Sequence, residues 1–114
     1  MSEAVDESIR NRDGTLTLSV SSGVFRLKGE ELIFDYRDFS NRPQQRWRRE
    51  HVVDVRVQRI GSDYAEVSIA LADSSTVSLP RTAPSRAHAD CNLLRRMLGM
   101  ATPLEAALPA FRRL

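Results

Sequence analysis

Four arginines and the chain's one tryptophan fall within eight residues, Arg42-Pro43-Gln44-Gln45-Arg46-Trp47-Arg48-Arg49. Guanidinium groups hold carboxylates and phosphates in paired, planar hydrogen bonds. A tryptophan among them could stack on a base while the arginines follow a phosphate backbone. The same residues also fit an edge strand guarded by charge, with Trp47 folded onto the rim of the core. Alternation along a strand puts Trp47 and Arg49 on one face and Arg46 and Arg48 on the other. The candidate binding residues are therefore Arg42, Arg46, Arg48 and Arg49. Phe39 joins them, because it stands between Asp38 and Ser40 in a polar loop, either tucked under it or exposed as an anchor.

Other reactive types occur without the company that chemistry needs. His88 and Cys91 are three apart, but two ligands do not make a zinc site, which takes three or four. His51 and Asp54 are three apart on a strand pattern and so point to opposite faces. There is no Ser-His-Asp spacing, no glycine-rich phosphate loop and no CxxC pair. No enzyme activity, catalytic residue, metal or cofactor is expected. Cys91 is expected in the core and His88 on the surface.

The elements that position these residues come from a chain of 114 residues, enough for one small domain. Its 41% hydrophobic content is near that of a folded protein, and its one cysteine excludes a disulfide scaffold. No run of about 20 apolar residues is present to span a membrane. The start, MSEAVDESIRNRDG, has no apolar stretch of signal-peptide length, so a cytoplasmic protein is expected. Net charge is only +2, which gives no general case for nucleic acid. Sixteen of the 17 basic residues are Arg, a bias that a GC-rich genome or selection for bidentate contacts would each produce. Charge alternates in blocks: −3 over 1–36, +4 over 37–59, −3 over 60–80 and +4 over 81–114.

Residues 1–13 are polar and read as a flexible lead-in. From Gly14 the apolar period becomes two. Leu16, Leu18 and Val20 mark one strand, Phe25 and Leu27 a second, and Leu32, Phe34 and Tyr36 a third. Short turns at Ser21-Ser22-Gly23 and Lys28-Gly29-Glu30 imply an antiparallel meander, with Gly23 available for positive φ. Gln45 to Arg49 is a short polar strand. Val53, Val55 and Val57 define the next, Ala65, Val67, Ile69 and Leu71 a sixth, and Val77 with Leu79 a seventh. The period then changes. Ala87, Cys91, Leu94 and Leu98 share one helical face, with Thr82 or Ser85 as cap, Pro84 in the first turn and Gly99 as terminator. Thr102-Pro103-Leu104-Glu105 would open a short second helix in the tail, 101–114. The fold class is α+β: a seven-stranded antiparallel bent sheet, or partly open barrel, capped by a C-terminal helix, with the domain spanning 14–100.

This order resembles the pleckstrin-homology-like (PH-like) superfold, in particular short PH-like domains of small bacterial proteins. The segment Trp47-Arg48-Arg49-Glu50-His51-Val52-Val53-Asp54-Val55-Arg56-Val57 is similar to their basic strand followed by a valine-rich strand. Ala72-Asp73-Ser74-Ser75 sits where such domains often turn with Asp-Gly, and Ser74 replaces that glycine. The resemblance implies a bent, barrel-like pair of sheets closed by the helix. It also implies a non-catalytic interaction or scaffolding module, a monomer or weak homodimer, whose protein partner the sequence does not name. Membrane-binding members read phosphoinositides through a basic first hairpin. Here that hairpin is Val20-Ser21-Ser22-Gly23-Val24, with Arg26 and Lys28 only beyond it, so phosphoinositide binding is not expected. Nucleic acid or an anionic surface, bound through 42–49, is the alternative to a protein partner.

Overall fold

The computed structural model describes residues 8–10, 14–37 and 42–101. Eight strands and one helix follow in order: β1 (Ser8–Arg10), β2 (Leu16–Val20), β3 (Gly23–Lys28), β4 (Glu31–Tyr36), β5 (Gln45–Arg48), β6 (Val52–Ile60), β7 (Tyr64–Leu71), β8 (Thr76–Ser78) and α1 (Pro84–Met97). All strand pairs are antiparallel, as the short turns predict. The strands divide into two sheets, β1-β2-β3-β4-β5 and β6-β7-β8, where periodicity alone predicts one bent sheet. The division falls at a single 3-10 turn, Arg49–His51, which ends the β4–β5 ladder before β6 begins. Strand β1 lies within the stretch that composition marks as a lead-in, paired to β2 with Ile9 opposite Thr17. The tail helix expected from Thr102 lies outside the described residues.

The two sheets and the helix enclose one core, in which Leu18, Phe25, Leu32, Phe34, Val55, Ala65, Ile69, Ala87 and Leu94 are fully buried. The period-two residues of β2, β3, β4 and β7 supply the sheet side. Strand β6 departs from its pattern. A register shift between Val52 and Asp54 inserts one residue, so Val52 and Val55 are buried while Val53 is 57% exposed. A bulge of this kind moves a side chain to the opposite face, and strict alternation cannot foresee it.

Helix α1 buries Ala87, Cys91, Leu94 and Met97, spaced to share one face. Asp90 is buried with them and accepts hydrogen bonds from the Ser21 N–H (3.0 Å) and Ser21 Oγ (2.5 Å). This ties the helix to the β2–β3 turn. Ala83 occupies the N-cap and gives no side-chain bond, so neither Thr82 nor Ser85 fills that role; Pro84 starts the helix as expected. Thr82 instead exchanges two backbone bonds with Ala65. The C-terminus closes at Gly99, φ +79, with the Gly99 N–H on the Arg96 carbonyl and the Met100 N–H on the Arg95 carbonyl. These two bonds make a Schellman closure. Ser74 takes φ +73 in the β7–β8 turn, the left-handed position that the resemblance assigns to glycine.

Candidate binding cleft along the fifth strand

The basic segment builds β5, the edge strand of the larger sheet. Its burial alternates as the sequence predicts: Arg46 and Arg48 are exposed, while Trp47 is half-buried against the core, opposite Leu32. The Arg49 N–H donates to the carbonyl of Glu30, the turn residue just before β4 (2.7 Å). In an antiparallel ladder, backbone groups two residues apart face the same neighbour. The N–H and C=O groups of Trp47 therefore face β4, and those of Arg46 and Arg48 face outward from the sheet. An open cleft of about 600 Å³ runs along this edge. Arg46, Trp47 and Arg48 form one wall, and His51, Leu71, Ala72 and Asp73 form the other.

The arginines differ in how firmly they are held. Arg46 reaches Glu31 and Arg48 reaches Glu50, each at 3.4 Å and each in an exposed pair. Pairs this long and this wet contribute almost nothing to stability, so they leave both guanidiniums open to a better partner. Arg49 turns inward instead. It donates to the Leu98 carbonyl at the end of α1 (2.8 Å), satisfying an oxygen that the helix leaves open. Its side chain joins helix to sheet and is not presented with Arg46 and Arg48. Arg42 lies over the Tyr36 ring, 4.8 Å from its centre. Phe39 lies outside the described residues. The outer face beside Arg46 carries Ile33, buried to 7% outside the main core, with Arg26 and Arg46 as its cross-strand neighbours.

Two further clefts flank the helix. In one, of about 450 Å³, Arg37 and Arg86 stand with Ser19, Ser21 and Asp90. Arg37 is fixed there by bonds to Ser19 Oγ (2.7 Å) and to the Val20 carbonyl (2.8 Å). In the other, of about 360 Å³, exposed His88 and buried Cys91 lie beside β6. Arg95 crosses this cleft and donates to Asp54 Oδ1 (2.5 Å) and to the Val55 carbonyl (2.8 Å). Among the described residues, no group of three or more His, Cys, Asp or Glu side chains could hold a metal ion. No helix among them is long and apolar enough to cross a membrane.

The Asp54–Arg95 contact joins residues 41 positions apart, and no local pattern signals it. Burial would raise the Asp54 carboxyl, but hydrogen bonds from Arg56, Arg95 and the Val55 N–H outweigh it and hold the group below the usual aspartate range. Asp35 is also held low, first by Gln44, against burial, and then by Arg26. A carboxyl lowered on folding adds stability above its unfolded value, here 3.8, and that share is lost as pH falls through the folded value. Unfolding by urea should therefore become easier as pH drops below about 4, and less steeply so in Asp54→Asn. Equal slopes for the two proteins would remove Asp54 from the account.

Cys91 presents the reverse case. Its Sγ sits 3.5 Å from the Val55 carbonyl, and burial above all pushes the thiol up to about 11, against the pull of nearby Arg95. Thiolate is the reactive form. A disulfide reagent at mildly alkaline pH should label the native protein on the order of a hundredfold more slowly than the unfolded chain. Comparable rates would mean that the helix opens readily.

Comparison with protein-family models, with curated proteins and with solved structures finds no match to this chain.

Proposed function

We propose that the chain is a non-catalytic, PH-like interaction module of the cytoplasm, monomeric or weakly dimeric, that binds an acidic protein surface through β5. The observation that carries this reading is the state of Arg46 and Arg48. They project from a strand edge beside a cleft and are held only by long, exposed ion pairs. The PH-like part is supported by the chain order: an antiparallel meander, a second three-stranded sheet, and a helix packed over the core. The half-burial of Trp47 against the core favours carboxylates over stacked bases.

The test compares poly-glutamate with a DNA duplex across a salt series. Arg46→Gln with Arg48→Gln should leave folding stability within about 1 kcal/mol, since the pairs lost are exposed. The same change should remove poly-glutamate binding. Trp47→Ala should cost about 1–2 kcal/mol, since the ring is only half-buried. Duplex binding with a log–log salt slope of about −2, as two phosphate contacts give, and lost in the double variant, would instead favour a nucleic-acid binder. A double variant that unfolds would show the two arginines to be structural.

A further inference from the structure

The edge of β5 carries more information than its charge. Sheet order ends at β5, so the N–H and C=O groups of Arg46 and Arg48 face outward beside no described strand. Such an edge is a template for one more strand. Its length is four residues, or about 13 Å at the strand rise. The cleft beside it, about 600 Å³, has room for an extended segment of that length.

The alternation of β5 then dictates what that segment must be. Residues directly opposite across a strand pair share a face and stand about 4.5–5.5 Å apart. A residue opposite Arg46 or Arg48 therefore meets a guanidinium on the outer face. The residue between them points into the cleft, toward Trp47 and Leu71. Opposite charges across a strand pair stabilise it, and like charges destabilise it. A second copy's β5 would set arginine against arginine, which argues against self-pairing.

We infer that β5 recruits an extended acidic segment of a partner protein, with acidic and apolar residues in alternation, as an additional strand of the larger sheet. The inference rests on the reading of β5 as the contact surface and adds the partner's conformation and pattern. The acids contact Arg46 and Arg48, the apolar residue between them fills the cleft at Trp47, and backbone bonds to Arg46 and Arg48 set the register.

The probe is a capped peptide in which Glu alternates with Val. Its first control has the same composition with the Glu residues grouped together. Its second is the alternating peptide N-methylated on the amides that would face β5. Trp47, the chain's one tryptophan, reports binding by fluorescence, and amide exchange reports the backbone of Arg46 and Arg48. The alternating peptide should shift Trp47 emission and slow exchange at both amides. Grouping the acids, methylating the peptide, or Arg46→Gln with Arg48→Gln should each weaken binding about tenfold or more. If all three peptides bind alike and only the arginine variant loses them, strand addition is overturned while the acidic-contact reading stands. If no peptide moves Trp47 or the two amides, but a DNA duplex does, both are overturned. If neither probe acts there, β5 is a guarded edge and both are again overturned.

Discussion

Leu94→Ala should destabilise the domain by about 2–5 kcal/mol, measured by urea unfolding at neutral pH. Leu94 is 0% exposed, on the face of α1 that packs over β2, β6 and β7. The large value follows from what surrounds it. Neighbours on α1 are fixed from several directions: Asp90 by Ser21, Arg95 by Asp54 and Val55, and the Leu98 carbonyl by Arg49. A helix pinned along its length cannot slide inward to fill a hole. The cavity therefore persists, and its cost adds to the lost transfer energy. Leu93→Ala, one position away and only half-buried, should cost clearly less. If the two substitutions cost the same, or if Leu94→Ala costs below about 0.5 kcal/mol, the helix does not close the core.

Periodicity was enough to read β2, β3, β4, β7 and the buried face of α1, because in each the apolar residues recur at the spacing of one face. It failed where a local event changed phase. Val53 looked like a core valine, and the bulge beside it turned it out. The split into two sheets depends on a 3-10 turn at Arg49–His51, whose residues carry no turn signature such as Gly or Pro. The helix start showed the opposite error. Thr82 and Ser85 had the chemistry of a cap, but Thr82 is drawn into a bridge with Ala65 that uses its backbone.

At the candidate site, composition located the segment but not the division of labour within it. Alternation correctly separated Trp47 from Arg46 and Arg48, since it needs only the strand period. Which arginines were tied down depended on contacts far apart in sequence. Arg49 meets Leu98 across 49 positions, and that is visible only once the helix is folded over the sheet. The opposite wall of the cleft, Leu71 to Asp73, reaches β5 because the Ala72 N–H donates to the His51 carbonyl at 2.8 Å. Asp90 is buried although its side chain is charged, and no local pattern signals this, because its partner Ser21 lies 69 positions away.

Gly23→Ala should be as damaging as a core deletion, at about 3 kcal/mol, although it adds one methyl group. The turn before it suggested a glycine kept for positive φ, yet Gly23 is absent from the positive-φ positions of the described chain. Its role is space. A Cβ there would overlap the Asp35 carbonyl oxygen and stand 2.6 Å from Cζ of Phe34. Phe34 cannot withdraw: it is fully buried, 4.5 Å from the Phe25 ring centre and 5.0 Å from that of Tyr36. The carbonyl belongs to β4, which pairs with β3 through Gly23↔Tyr36, so relief would require spreading that ladder. Gly29→Ala makes the comparison sharp. Gly29 has φ +62 and open space around its Cβ position, so only the left-handed backbone opposes the change, at about 1–2 kcal/mol. Thermal unfolding of both variants, with Phe34→Leu added to Gly23→Ala, distinguishes the causes. Trimming the ring should recover only part of the loss, because the nearest clash is with backbone. Full recovery would place the whole conflict in the Phe34 ring. A Gly23→Ala protein as stable as Gly29→Ala would show that β3 and β4 can part at this corner without harm to the core.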